Sequence, residues 1–302
     1  MAGHHLHCIT KNGTNPAYFG ARIGVGRVAG ALGCTVTSTY PETPDDPDEQ
    51  AELLATALAA KPDAIMLAPA HPTRLNSLIA QVRAAGIPLV CFVSYPEGGP
   101  EVAPDCFVTS DNFALAEGIA RYLIDFMGGA GRFVLVEGAA ISPTSPPRTE
   151  GFEKALAAYP AAQLVDRCVG NYQRPDALAA MTDLLARTPD FDGILCANDF
   201  MAMGVIDALE AAGKQAELVS VNAMPDAIAA IKAGKMRATA AFDAMKIACA
   251  ATHAAVRLIE GKPVPKVLEL PVEIVDAGNC AQWDRPYEER DLPDWQALTG
   301  TA

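Results

Sequence analysis

Two polar residues at the end of an apolar run are the first candidates for chemistry. Asn198 and Asp199 follow the apolar segment 194–197, and a helix-forming stretch begins at Phe200. This pattern predicts a buried strand that delivers two polar side chains to its carboxyl end. In open α/β sheets, ligands bind outside the carboxyl ends of the strands, so the pair is placed for ligand recognition. Asparagine is also a preferred N-cap residue, and the segment alone leaves capping as an equal alternative for Asn198.

Motifs that would indicate an enzyme are scarce. Residues 24–29, GVGRVA, satisfy a dinucleotide-binding pattern, but they begin well inside a predicted helix rather than directly after a strand. No HExxH, GxSxG or P-loop pattern occurs. His4 and His7 lie at the amino terminus, where fraying explains them better than a metal site, and His71 is the one histidine retained as a ligand contact. We therefore predict no enzyme activity, no catalytic residue, no metal and no cofactor.

Composition narrows the class of partner. With 23 Lys+Arg against 36 Asp+Glu, the 302-residue chain carries a formal charge of −13. Such a surface repels phosphate backbones, so no nucleic-acid partner is expected. No run approaches the roughly 20 apolar residues that a spanning helix needs. The length allows two domains that each bury a core of their own.

The cysteines and the amino terminus give information on the cellular compartment of the protein. Eight cysteines are spread along the chain without a CxxC pair, which argues against a disulfide framework or a zinc site and favours a reducing compartment. The chain enters its first predicted strand without a basic region followed by an apolar segment. Two alternatives stay open, a cytoplasmic protein or a secreted one whose signal peptide is absent from this sequence.

Strands and helices alternate along the chain. Apolar runs predict strands at 6–10, 35–40, 64–68, 88–93, 106–109, 132–136, 163–169, 193–197, 218–221, 239–242 and 267–275. Helices are predicted at 17–32, 48–60, 73–85, 112–127, 149–159, 175–187, 200–212, 225–233 and 244–260. This order indicates βαβ units on parallel sheets with right-handed crossovers. The likeness of residues 58–70 to residues 185–199 indicates two similar halves, with a cleft between them as the natural pocket.

Several short motifs occur in a specific order, namely Asn15-Pro16-Ala17-Tyr18, KPDAIMLAP at 61–69, Ser110-Asp111-Asn112, Arg148-Thr-Glu-Gly-Phe152 and Ala197-Asn198-Asp199. Together they resemble the type I periplasmic sugar-binding proteins of ABC importers, which are similar to ribose-binding protein and related to lactose-repressor-type effector domains. The resemblance covers residues 6 to about 275. It implies an α/β fold of two Rossmann-like domains with parallel sheets, joined by a three-crossover hinge. The first domain would comprise 1–109 plus 244–272, and the second 110–243 plus 273–302.

The same resemblance implies a function. The chain would be the solute-binding component of an ABC importer, a periplasmic monomer that captures a small sugar-like ligand by hinge closure and then meets a membrane permease. A ligand-sensing domain of a regulator or receptor is the alternative, and a nicotinamide enzyme is a remote one. No helix-turn-helix motif precedes Leu6, which disfavours a transcription factor.

The predicted ligand contacts come from this resemblance and from sugar chemistry. Aromatic faces suit the C–H faces of a sugar ring, while amides and a guanidinium pair with hydroxyls. The full set of predicted contacts is Lys11, Asn12, Asn15, Tyr18, His71, Ser94, Arg148, Tyr172, Asn198, Asn222 and Phe242. Structural alternatives remain for Tyr172 as a core aromatic and for Arg148 as a partner of Glu150 or Glu153.

This chain departs from the family pattern at the polar positions. Val93-Ser94 stands where sugar binders typically carry an acid and a polar residue, and Phe242 stands where they often carry an amide. Lys11 adds a positive charge that, with Arg148, would suit an anionic or strongly polar group, unless Lys11 is solvated. The ligand classes left open are a polyol, a deoxy sugar, a sugar acid or another small polar metabolite. Residues 280–302 are expected to wrap a surface, with their aromatics available for packing or for a partner.

Overall fold

The computed structural model describes residues 3–300, in which strands and helices alternate as predicted. The strands are β1 His5–Ile9, β2 Thr35–Thr39, β3 Ala64–Leu67, β4 Leu89–Phe92, β5 Cys106–Thr109, β6 Ala130–Glu137, β7 Ala161–Val169, β8 Gly193–Cys196, β9 Glu217–Val221, β10 Ala238–Ala240, β11 Val267–Glu269 and β12 Ile274–Asp276. The helices are α1 Pro16–Ala31, α2 Pro47–Ala60, α3 Asn76–Ala84, α4 Asn112–Phe126, α5 Ser145–Ala157, α6 Arg174–Arg187, α7 Asp199–Ala211, α8 Pro225–Lys232, α9 Ala244–Ile259 and α10 Trp295–Thr299, with a 3-10 turn at Cys280–Trp283.

Several helix starts follow from capping and proline. Asn15 caps α1 and Asp46 caps α2, and each is followed by a proline at the first helical position. Helix α5 begins four residues earlier than predicted, because Pro146 and Pro147 lie in its first turn rather than in a loop. A proline there loses nothing, since the first N–H groups of a helix have no partner within it.

The strands form two sheets of six. The first has the order β11-β5-β4-β3-β1-β2, and all its pairings are parallel. The second has the order β12-β10-β9-β8-β6-β7 and is parallel except for β12, which runs antiparallel to β10. In a parallel sheet the carboxyl ends of the strands share one edge, so the loops that follow them lie together. The predicted pair of parallel α/β sheets is confirmed.

The chain divides into two compact units. One runs to Ser110 and takes up Ala244–Leu270 and the chain from Tyr287 onwards, and the other comprises Asp111–Asp243 and Pro271–Pro286. The predicted single strand 267–275 is in fact two strands, because Pro271 lacks the N–H that a strand interior needs, and β11 and β12 belong to different sheets. The predicted assignment of the whole tail 273–302 to the second domain also differs from this division.

The last residues lie on the first unit because α1 and α9 supply their partners. Arg27 donates to the carbonyls of Tyr287 and Arg290, at 3.0 and 2.6 Å. Arg257 lies over the Trp295 ring at 4.8 Å. Tyr287 and Trp295 are buried, as is Trp283 in the second unit, so packing explains the aromatic residues of the tail.

All eight cysteines lie within the described residues, and each is an unbridged, buried thiol. Burial raises the pKa of Cys8 and of Cys106 to about 12, and that of Cys168 to about 11. The thiolate is the reactive form of cysteine, so these side chains act as small buried hydrophobes. Within residues 3–300, no helix is both long enough and apolar enough to span a membrane.

Candidate functional site

The first unit gathers predicted residues in the loops that follow β1, β3 and β4. We define the first cluster as the set of Lys11, Asn12, Asn15, Tyr18, His71 and Ser94. All except His71 are buried, although most are polar. Buried polar groups must be hydrogen-bonded or must await a ligand, so the partners of each side chain decide its role.

Asn12 shapes the loop after β1. Its Oδ1 accepts from the backbone N–H groups of Thr14 and Asn15, at 2.9 and 2.8 Å, and its Nδ2 donates to Asp45 at 2.9 Å. Arg22 braces the same loop by donating to the Asn12 carbonyl at 3.0 Å. Because its amide oxygen and nitrogen both form hydrogen bonds, Asn12 positions its neighbours, and its ligand contact stays a prediction.

Asn15, Tyr18 and His71 occupy three different settings. The Oδ1 of Asn15 caps α1 by accepting from Ala17 N at 3.0 Å, and its Nδ2 forms no hydrogen bond within the described residues. Tyr18 lies one turn later on a buried face of α1. His71 Nδ1 accepts from the N–H groups of Thr73 and Arg74, at 3.0 and 3.1 Å. An accepting Nδ1 places the proton of the neutral imidazole on Nε2, which leaves that atom as a donor.

Lys11 is held by the end of β4. Its Nζ donates to Ser94 Oγ at 3.1 Å, and both residues are buried. Val93, between β4 and Ser94, has a φ of 66°, a left-handed conformation that a β-branched residue rarely adopts. The solvated alternative for Lys11 is therefore wrong, because only 2 % of the residue is exposed.

The second unit gathers a second cluster, which we define as Arg148, Tyr172, Asn198, Asn222 and Phe242. These residues follow β6, β7, β8, β9 and β10, whose carboxyl ends share one edge of the sheet. All five are buried. The sequence predicted each of them, and the second unit brings all five to the same edge.

Arg148 is a buried cation beside two aromatic rings. Its Nε donates to Asn112 Oδ1 at 2.9 Å, and its Nη1 donates to the Ala197 carbonyl at 2.7 Å. The guanidinium carbon lies 4.9 Å from the ring centroid of Phe242 and 5.8 Å from that of Tyr172. The alternative pairing of Arg148 with Glu150 or Glu153 on the helix surface is therefore wrong. The arrangement fixes a planar, charged donor beside two apolar faces.

Tyr172 is positioned by strain and by close packing. Its φ is 60°, and that of the preceding Asn171 is 50°. Its hydroxyl lies 3.1 Å from Thr144 Oγ1. A side chain on Gly138 would overlap the Tyr172 ring, so glycine is required for this approach.

Asn198 caps a helix, and its ligand contact stays a prediction. Its Oδ1 accepts from Met201 N at 2.9 Å and so caps α7. No bond of its Nδ2 occurs in the part of the chain that the structure describes, so the two amide protons can donate to a ligand. Asn15 in the first unit shows the same division, with its oxygen on a helix and its nitrogen unengaged. Capping and ligand binding are thus compatible for one asparagine.

Asp199 ties three strand ends together. The carboxylate accepts from Ser220 Oγ, from Thr239 Oγ1 at 2.7 Å and from Met224 N at 2.8 Å. It is fully buried, and burial raises the pKa of Asp199, while these hydrogen bonds and the charge of Arg148 act in the opposite direction. Asn222 lies between Ser220 and Met224 in the sequence, and its Nδ2 donates to the Phe242 carbonyl at 3.1 Å. Asp199 therefore holds the frame in which the second cluster sits.

Backbone strain is concentrated in the loops of both clusters. Among residues 3–300, seven non-glycine residues have a positive φ. Six of them follow strands that end near a cluster, namely Asp45, Val93, Asn171, Tyr172, Asn222 and Ala223, and the seventh, Lys61, ends a helix. Such conformations cost about 1–3 kcal/mol each and are typical of binding sites, where the surrounding fold holds them.

The decisive observation on ancestry is a match of residues 8–263 to the family profile described as periplasmic binding protein domain. The chain belongs to this family. The predicted family resemblance is confirmed, and the two sheets of mostly parallel strands are those of its type I members.

Relatives of this periplasmic binding protein are named for sugars. The ribose import binding protein of Bacillus subtilis strain 168 is 26% identical over 260 residues, which cover 86% of this chain and 83% of the relative. The D-allose-binding periplasmic protein of Escherichia coli K12 is 29% identical over 242 residues, or 77% of each chain. A periplasmic solute-binding protein from Actinobacillus succinogenes 130z, solved with bound D-allose, superposes with a TM-score of 0.87 at 25% identity, over 92% of this chain and 99% of that one.

Three hydrogen-bonding partners of the clusters were not predicted from the sequence of this binding protein. Asp45 lies in the segment PETPDDP, where turn residues hid it, and Asn112 and Thr144 are the partners of Arg148 and Tyr172. Asn112 was visible only as part of a motif at the start of α4. A polar residue in a loop has no periodic signal, so only the three-dimensional fold reveals such partners.

Proposed function

We propose that this chain is the solute-binding component of an ABC importer and that it captures a small sugar-like ligand. The observation that carries the proposal is the buried guanidinium of Arg148 close to the rings of Tyr172 and Phe242, with the Asn198 amide at the same sheet edge. Sugars present C–H faces for aromatic rings and hydroxyls for amides and guanidinium groups. Relatives named for ribose and allose support the same ligand class.

The proposed mechanism is a shift between conformations. Ligand binding stabilises the closed state, which a membrane permease then recognises. The ligand leaves chemically unchanged, and the place of action is outside the cytoplasmic membrane. The relatives are named as import or periplasmic binding proteins, which favours an importer over the regulatory alternative.

A thermal-shift panel tests the proposal. The panel contains pentoses, hexoses, inositols, other polyols and sugar acids, with a nicotinamide cofactor as the comparison. A ligand at about 100 times its dissociation constant adds roughly 2.7 kcal/mol, which for a chain of this length raises the melting temperature by about 4 °C. We expect such a rise with at least one sugar or polyol and none with the cofactor. A rise with the cofactor alone would remove the importer function.

Asn198 offers a test that separates capping from binding. Asn198→Ala removes the cap of α7 and should lower the free energy of unfolding by about 1 kcal/mol, whereas Asn198→Ser keeps a capping oxygen and should stay within about 0.5 kcal/mol of the wild type. Both variants lose the amide donors and should bind the best panel ligand about 10-fold more weakly. Denaturant unfolding and titration calorimetry measure the two effects. Wild-type affinity in Asn198→Ser would reduce Asn198 to a cap.

A further inference from the structure

The charge of Lys11 is accompanied by a carboxylate that the sequence analysis did not assign to the site. Asp45 lies beside the loop after β1, where its N–H donates to the Lys11 carbonyl at 2.8 Å. Its Oδ2 accepts from Asn12 Nδ2 at 2.9 Å. Lys11 and Asp45 are therefore neighbours in one hydrogen-bonded loop system, which also contains Ser94 as the acceptor of the Lys11 ammonium.

The charge of Lys11 acts on the Asp45 carboxyl. Burial raises the pKa of Asp45 above its ordinary value, and the charge of Lys11 and the hydrogen bond from Asn12 offset part of that rise. The second unit repeats this arrangement, since burial raises the pKa of Asp199 and the charge of Arg148 acts in the opposite direction. Each buried cation thus has an acidic group of its own unit within electrostatic range. An anionic ligand is not the only source of negative charge for either cation.

We infer that Lys11 and Asp45 form a donor and acceptor pair that binds neighbouring hydroxyl groups of an uncharged ligand, an inference that rests on the proposed function. An ammonium donates to one hydroxyl, and a carboxylate accepts the proton of the next. A sugar acid would bring its own carboxylate towards Asp45, which lies in the same loop system as Lys11. Like charges that approach within such a site weaken binding.

The backbone holds the pair in place. Asp45 has a φ of 61°, and Val93, which precedes Ser94, has a φ of 66°. Strained residues persist where the surrounding structure over-determines them, and they are typical of preorganised ligand sites. Asp45 donates its N–H to the Lys11 carbonyl, and Val93 directly precedes Ser94, which accepts from the Lys11 ammonium. Preorganisation of this kind reduces the ordering cost that a ligand must offset.

The experiment uses the full chain and the neutral and acidic members of the panel, including D-glucose with D-glucuronate and D-galactose with D-galacturonate. We expect the tightest ligand to be uncharged and to bind at least about 10-fold more tightly than the tightest sugar acid. We also expect Asp45→Asn to lower its affinity about 10-fold, because the charged acceptor is lost while an amide oxygen remains for Asn12. Lys11→Gln should weaken the same ligand to a similar degree. Titration calorimetry gives each constant.

Asp46→Asn is the matched control, because it removes the same charge one residue away and keeps a side chain that caps α2. It should leave affinity within about twofold of the wild type. A sugar acid as the tightest ligand would overturn the inference, as would Asp45→Asn that binds like Asp46→Asn. Either result would leave the solute-binding function standing. If no sugar, polyol or sugar acid binds the wild type, the proposed function itself fails.

Discussion

Arg148→Met is expected to weaken binding of the best panel ligand by at least about 100-fold. Hydrogen bonds to a charged group contribute about 1.5–3 kcal/mol each, and methionine supplies none of them. The planar guanidinium also lies beside Phe242 and Tyr172, so its loss removes the charged hydrogen-bond donor next to these two rings. Titration calorimetry with the wild type and the variant measures the loss.

Arg148→Lys and Arg174→Met serve as controls for this result. Lysine keeps the charge but lacks the planar fork, so it should recover only part of the affinity. Arg174 pairs with Asp207 on the exposed surface of the second unit, and its loss should change affinity less than twofold. If Arg148→Met folds normally and binds within threefold of the wild type, Arg148 is a structural residue and not a ligand contact.

The second large effect is expected from Asp199→Ala, which should lower the free energy of unfolding by about 3 kcal/mol. The substitution leaves the hydroxyls of Ser220 and Thr239 and the N–H of Met224 without their acceptor inside the second unit. Each buried donor left unpaired costs about 1–3 kcal/mol, and part of the cost is recovered as hydroxyl groups rotate. Urea unfolding of the ligand-free protein measures the change.

Asp199→Asn is the informative comparison, because it keeps the shape and one acceptor oxygen. It should lower the free energy of unfolding by about half as much as Asp199→Ala does. It should still weaken ligand binding, since Asn198 and Asn222 are attached to the strand ends that Asp199 holds together. Equal stability of Asp199→Ala and the wild type would mean that the three strand ends keep their positions without the carboxylate.

The alternation of strands and helices was predictable because buried parallel strands are short, apolar and regularly spaced. The run 267–275 misled the prediction, since one apolar stretch supplies β11 to one sheet and β12 to the other, with Pro271 between them. Apolar periodicity reports burial but not the sheet in which a strand is buried. The same limit explains the tail, whose partners on α1 and α9 are far away in sequence.

The candidate site was predictable where a residue follows directly on a strand. Asn198 is of this kind, and the family resemblance added Arg148 and Asn222. Asp45 was not predictable, because it lies six residues beyond the end of β2 in a stretch rich in turn residues. Asn12 shows that a residue type suited to a ligand can also serve the fold, since its amide is hydrogen-bonded to Asp45 and to the loop.

The eight buried thiols have a consequence for folding under the proposed importer function. In the folded chain, burial shields the thiols, and it raises the pKa of Cys8 and of Cys106 to about 12. An unfolded chain has neither protection, and its thiols have ordinary acidity, with a pKa of about 8.5. In an oxidising compartment, collapse of the two sheets must therefore precede oxidation of the thiols.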